Sequence, residues 1–112
     1  MTATRPRIIV DPAIRWGRPT LEGTHTATVD AAGMVAGGDP VEVVADEYGL
    51  TRHQVLLACW HEAINGDYQD RWGVWGAGVG HTLAYGGPAE VDALPDPPGG
   101  VAAETGDADA SA

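Results

Sequence analysis

Residues 39–57, Asp39-Pro40-Val41-Glu42-Val43-Val44-Ala45-Asp46-Glu47-Tyr48-Gly49-Leu50-Thr51-Arg52-His53-Gln54-Val55-Leu56-Leu57, read as two helices around a tight turn. Asp39 has the side chain of an N-cap, Pro40 suits a first helical position, and Glu42 completes the capping-box spacing. Val41, Val44, Ala45 and Tyr48 then share one helical face, with Glu42, Asp46 and Glu47 outside it. Gly49 ends this helix. Thr51 and Gln54 repeat the capping-box spacing, so a second helix is expected to run to about Ile64, where Asn65-Gly66 closes it. The pattern is that of a helix-turn-helix.

The second helix is apolar on more than one side. Val55, Leu56, Cys59 and Ala63 form one stripe; Leu57, Trp60 and Ile64 form another. A helix in a small monomer needs a single buried face. The second stripe is therefore either a dimer interface or a cap of Trp60 over a small core. Towards the N-terminus, Val29 to Ala36 has a helical pattern stopped by Gly37-Gly38. Before it, Ile8, Ile9 and Val10 suit a short strand that Asp11-Pro12 ends. Gly17-Arg18-Pro19 reads as a turn, and Thr20-Leu21 as a second strand closed by Gly23. Residues 7–65 are thus expected to form a mostly α, tri-helical module with a short N-terminal β element, and residues 1–6 a flexible arm.

The chain has 112 residues and a net charge of −10, and all six of its basic residues are arginine. Residues 1–65 account for −3 of that charge and residues 66–112 for −7. A domain of about 60 residues buries only about 60% of its unfolded surface, which favours pairing or a partner. The acidic end favours a basic protein surface over nucleic acid. Residues 66–87 set Tyr68, Arg71, Trp72, Trp75 and Tyr85 among glycines that lower helix propensity. Trp, Tyr and Arg dominate interface energetics, so this segment is a candidate partner-binding element. Folding of Trp72 and Trp75 back over the core is the alternative. His81 to Tyr85 has a strand-like pattern. Residues 88–112 are Pro, Gly, Ala and acids, too poor in apolar groups to offset ordering entropy, and are expected to be a disordered tail.

Little points to catalysis. Cys59, the one cysteine, excludes an internal disulfide and sits mid-helix on an apolar stripe, the setting of an inert thiol. Ser111 is the only serine and lies at the chain end. His25, His53, His61 and His81 are scattered. His61-Glu62 starts an H-E-x-x-H pattern that Asn65 breaks, so no metal site is expected. Gly76-Ala77-Gly78-Val79-Gly80 lacks the Lys and Ser/Thr of a phosphate loop and reads as a flexible connector. No cofactor is expected. No apolar run approaches the roughly 20 residues of a membrane span, and the N-terminus lacks a signal-peptide core, so the cytoplasm is the expected location.

The order Asp11-Pro12, Gly17-Arg18-Pro19, Gly23-Thr24, followed by three helical segments, resembles domain-of-unknown-function family 433, a family of small bacterial proteins. The resemblance covers roughly residues 7 to 65. The family usually has an Arg where this chain has His25, a departure that removes a permanent charge. Some members resemble VapB-type antitoxins. The resemblance implies a non-enzymatic homodimer that neutralises a toxin, such as a PIN-type ribonuclease, and binds operator DNA to repress its own gene. On that expectation Tyr68, Arg71, Trp72, Trp75 and Tyr85 grip the toxin, and Leu57, Trp60 and Ile64 pair the protomers. DNA would meet Arg52, His53 and Gln54 at the start of the second helix, and Arg5, Arg7, Arg15 and Arg18 in the arm and hairpin. The segment 39–64 holds one Arg against five acids, which opposes phosphate contact. The alternatives are a DNA-binding regulator without a toxin, or a structural dimerisation adaptor.

Overall fold

The computed structural model describes residues 6–66 and 68–98, and for Arg15 the backbone alone. Arg5 lies outside the described residues, as do most of the expected arm and the end of the acidic tail. Strand β1 (Ile8–Ile9) pairs antiparallel with β2 (Thr20–Leu21), Ile8 facing Leu21 and Ile9 facing Thr20. Helices α1 (Thr28–Ala36), α2 (Val41–Tyr48), α3 (Arg52–Asn65), α4 (Gln69–Tyr85) and α5 (Pro88–Asp92) follow. The fold is mostly helical with a two-stranded N-terminal sheet, as the sequence implies. None of the described helices is long and apolar enough to cross a membrane.

The strands are short but anchored. Leu21 is fully buried, and the Thr28 N–H donates to the Pro19 carbonyl at 2.9 Å, tying the hairpin to the start of α1. The α2–α3 turn forms as the sequence reads. Gly49 ends α2 in the left-handed conformation, φ 67°, which only glycine adopts without strain. The Gln54 N–H donates to Thr51 Oγ1 at 3.1 Å and the Thr51 N–H donates to Gln54 Oε1 at 2.8 Å, completing the capping box. At α2 the outcome differs: Pro40 is the N-cap residue, and no side chain caps that end. The Asp39 N–H donates to the Met34 carbonyl at 3.1 Å, which places Asp39 in the turn leaving α1.

Residues 69–85 are a helix throughout, so the strand expected at His81–Tyr85 and the flexible connector at Gly76–Gly80 are both corrected. Tertiary packing overrides propensity here. A Cβ on Gly76 would lie 2.9 Å from the Ala63 Cβ, and one on Gly80 would lie 2.6 Å from Trp60 Nε1. These glycines let α4 approach α3 more closely than any larger residue would. Helix α4 thereby covers the second apolar stripe of α3. Leu57 is buried and Trp60 is half-buried against α4; Ile64 stays 39% exposed at the margin. A helix apolar on both sides is a buried one, and the cover comes from the same chain. Residues 66–87 are accordingly part of the folded unit rather than a separate segment.

The chain beyond residue 87 also continues in order further than its composition predicts. Pro88 opens α5, the Gly87 N–H donates to Glu90 Oε1 at 2.8 Å, and Val91 is fully buried. Residues 94–98 then run along α3 and α4.

Candidate functional site

The expected DNA-reading end of α3 is engaged within the chain. Arg52 donates to Glu42 Oε2 at 2.6 Å, to Asp96 Oδ1 at 2.6 Å and to the Leu94 carbonyl at 2.7 Å. His53 is buried, with Nε2 3.4 Å from the Leu83 carbonyl. Gln54 is committed to the capping box. The three groups that would face a groove are thus held by acids, by core packing and by the cap.

The expected partner-binding residues divide in the same way. Trp72 is fully buried and Trp75 is 9% exposed; their indole N–H groups donate to the Pro98 and Pro95 carbonyls, each at 2.9 Å. Tyr68 stacks at a tilt on Trp72 with ring centroids 5.0 Å apart. Arg71 is half-buried and reaches the Ala36 carbonyl at 3.5 Å. Tyr85 alone of the five is well exposed, at 65%, beside the His81 ring. These aromatics build the core between α3 and α4 rather than a free gripping surface.

Burial pushes the Cys59 thiol pKa up, and the charges of Asp96 and Glu62 add to the shift. The thiol is fully buried. Its nucleophilic thiolate is therefore suppressed.

The N-terminal turn has the opposite character. Trp16 is 87% exposed and holds a left-handed backbone, φ 56°, a conformation that costs a non-glycine residue about 1–2 kcal/mol. Val10 is 65% exposed on the same excursion between the strands. Asp11 organises the turn by accepting from the Ala13 N–H at 2.9 Å. Arg18 is exposed, while Arg7 forms a two-pronged pair with Glu22 at 2.9 and 3.0 Å on the surface. Residues 1–21 hold four of the six arginines and a single acid, Asp11; residues 22–112 hold the other two arginines and fifteen acids. The arginines of the chain are thus concentrated before residue 22 in sequence, and an exposed tryptophan stands on the turn between the strands. Trp16 lies outside the aromatic segment at 66–87 that the sequence marks as partner-binding. The signal was present in Arg15-Trp16-Gly17-Arg18, where three residues of interface-forming type surround a glycine turn.

Beside this turn lies a surface cavity of about 340 Å³ lined by Arg18, Pro19, Thr28, His61, Glu62 and Asn65. Glu62 is buried and accepts from the Thr28 hydroxyl at 2.8 Å. Thr28 opens α1, so the carboxylate sits at the positive end of that helix. His61 Nδ1 is 3.5 Å from Glu62 Oε2. The Thr28 hydroxyl is fully buried and committed to the Glu62 carboxylate. Glu62 therefore ties the end of α3 to the start of α1, and the cavity is a recess next to the Trp16 turn.

Residues 8–61 match a family model described as "Protein of unknown function (DUF433)". The chain is also similar to the Uncharacterized protein Rv2308 of Mycobacterium tuberculosis, with 38% identity over 50 residues. That match covers 45% of this chain and 21% of the relative, so the chain spans about a fifth of the relative's length. No solved structure matches the chain significantly.

Proposed function

We propose that this chain, a member of that family over residues 8–61, is a non-enzymatic, antitoxin-like binding protein that seats another protein against its N-terminal turn. One observation carries the reading: Trp16 is 87% exposed and held at a positive φ, between Arg15 and Arg18 in the sequence. Backbone strain at an exposed residue signals a functional demand that outweighs stability. Tryptophan flanked by arginine is the composition of an interface hot spot. The complementary partner presents an apolar slot rimmed by acids. The acid-lined active site of a small ribonuclease has that chemistry, and its occlusion would neutralise the enzyme.

Operator binding through α3 is a weaker reading despite the helix-turn-helix geometry. Arg52 is neutralised by Glu42 and Asp96, and phosphate contact needs basic groups that this face lacks. Pairing of protomers through Leu57, Trp60 and Ile64 would require α4 to move aside. If the chain pairs with itself, it uses another face.

The test is co-expression with the product of each flanking gene, followed by measurement of complex formation and RNA cleavage. A partner of the proposed kind forms a complex that suppresses cleavage. Trp16→Gly should weaken that complex at least tenfold while keeping the helical signal and a thermal midpoint at or above that of the parent chain, since glycine relieves the strain at φ 56°. Unchanged affinity in Trp16→Gly removes this turn from the function.

A further inference from the structure

The segment Leu94-Pro95-Asp96-Pro97-Pro98 is held in a groove, and the way it is held defines what the groove recognises. One wall is α4, which offers the indole N–H groups of Trp72 and Trp75 to the Pro98 and Pro95 carbonyls. The other is the first turn of α3, where Arg52 takes the Leu94 carbonyl and the Asp96 carboxylate. Pro97 is buried between these contacts. Proline fixes its own φ and drives the residue before it to extended geometry. Leu94, Asp96 and Pro97 each precede a proline, so the whole strap is set towards a polyproline-type extended form. That form has three residues per turn. The carbonyls of Pro95 and Pro98, three apart, therefore point to the same side, where the two tryptophans wait.

The chemistry of the groove is one-sided. Its walls supply donors: two indole N–H groups and a guanidinium, none of which can accept. A proline-rich chain supplies carbonyls and, at each proline, no N–H to leave unsatisfied. The match extends to charge, since Arg52 pairs with the acid that lies between the prolines. It is also incomplete. Arg52 Nε is buried and has no hydrogen-bond partner among the described residues, a donor that the strap leaves unused. Aromatic-lined grooves that present N–H donors to extended proline segments are a recurrent mode of peptide recognition. The two tryptophans that the sequence marks as partner-binding fit that mode.

We infer that the groove formed by Arg52, Trp72 and Trp75 is a receptor for extended proline-rich segments with an acid between prolines, occupied in the resting chain by its own residues 94–98 and accessible to such a segment of another protein when the strap lifts. The groove lies on α3 and α4, so this inference is independent of the Trp16 turn. The tethered strap competes with any incoming segment at an effective concentration in the millimolar range, about that of other short linkers. It acts as a built-in threshold against weak ligands.

The test uses the full ¹⁵N-labelled chain, with the indole N–H resonances of Trp72 and Trp75 assigned from Trp→Phe variants. The probe is the capped peptide Leu-Pro-Asp-Pro-Pro, with a Lys-for-Asp analogue as control. In an Asp96→Lys chain, whose strap is repelled by Arg52, the peptide should shift both indole signals with saturation. Its apparent Kd there should be at least tenfold lower than in the wild-type chain, and the Lys analogue should bind at least tenfold more weakly. Should Asp96→Lys lose its helical signal, Pro97→Gly loosens the strap without touching the ion pair and gives the same comparison. Indole signals that do not move in a folded, strap-weakened chain overturn the inference, as does equal affinity for the Lys analogue. A wild-type chain that sediments as a concentration-dependent dimer with peptide-insensitive indoles also overturns it, in favour of strap exchange between copies.

Discussion

Alanine at Gly76 and at Gly78 should shift stability in opposite directions, although the two sites lie two residues apart on one helix. Glycine in a helix interior is less favourable than alanine by about 0.5–1 kcal/mol, so substitution at either site gains that amount from the backbone. At Gly78 nothing lies within 4 Å of an added Cβ and the residue is exposed. Gly78→Ala should therefore raise stability by roughly that gain. At Gly76 the added Cβ would sit 2.9 Å from the Ala63 Cβ. A Cβ is carried rigidly by its backbone and cannot rotate away, so α3 and α4 must separate. Overpacking of this kind costs about 1–3 kcal/mol. The helix-propensity gain is common to both variants and cancels in their difference, leaving about 1–3 kcal/mol of packing in favour of Gly78→Ala. Urea unfolding followed by far-UV circular dichroism reads this directly as a lower midpoint for Gly76→Ala at unchanged slope. If Gly76→Ala proves as stable as Gly78→Ala, then α4 does not pack on α3 at this crossing. The covered stripe of Leu57 and Trp60 would be free again for a second copy.

Two further outcomes follow from the cap and the buried thiol. Thr51→Ala removes the acceptor for the Gln54 N–H and should lower stability by about 1 kcal/mol, seen as a reduced urea midpoint. Folding raises the Cys59 pKa, so the folded chain keeps its proton where the unfolded chain has lost it. The thiol's contribution is then fully present below the unfolded value of about 8.5, and stability falls as pH rises above it by up to about 1.4 kcal/mol per unit. Urea midpoints between pH 8 and pH 10 should drop more in the wild-type chain than in Cys59→Ala, and parallel curves would refute the buried-thiol account.

What could be read from the sequence was what neighbouring residues decide among themselves. The Thr51–Gln54 box closes within one helical turn, and the Gly49 stop depends on its own φ; both stand in the fold as read. The paired strands at Ile8–Ile9 and Thr20–Leu21 follow from β-branched runs bounded by Asp11-Pro12 and Gly23. Glycine was misread where its role is tertiary. In α4 the four glycines Gly73, Gly76, Gly78 and Gly80 lower local helix propensity, yet two of them admit Ala63 and Trp60 of α3, and this contact is invisible until α3 is in place. The Asp39 cap failed because α2 starts one residue later than the pattern sets it: Pro40 takes the N-cap position, and Asp39, whose N–H donates to the Met34 carbonyl, belongs to the turn leaving α1.

The strap at residues 94–98 exposes a deeper limit. Its composition reads as disorder because the criterion counts apolar side chains. The groove holds it mainly through backbone carbonyls, which every residue possesses and no composition reveals. The informative residues were on the other side of the contact, in Trp72, Trp75 and Arg52, whose donors need acceptors once they are buried. Two tryptophans three positions apart on a helix, followed within the same chain by a proline-acid-proline run, form a pair of signals that neither half carries alone. Buried donors that lack local acceptors predict an acceptor-rich, donor-poor segment elsewhere in the chain or in a partner, and residues 94–98 meet that demand in cis.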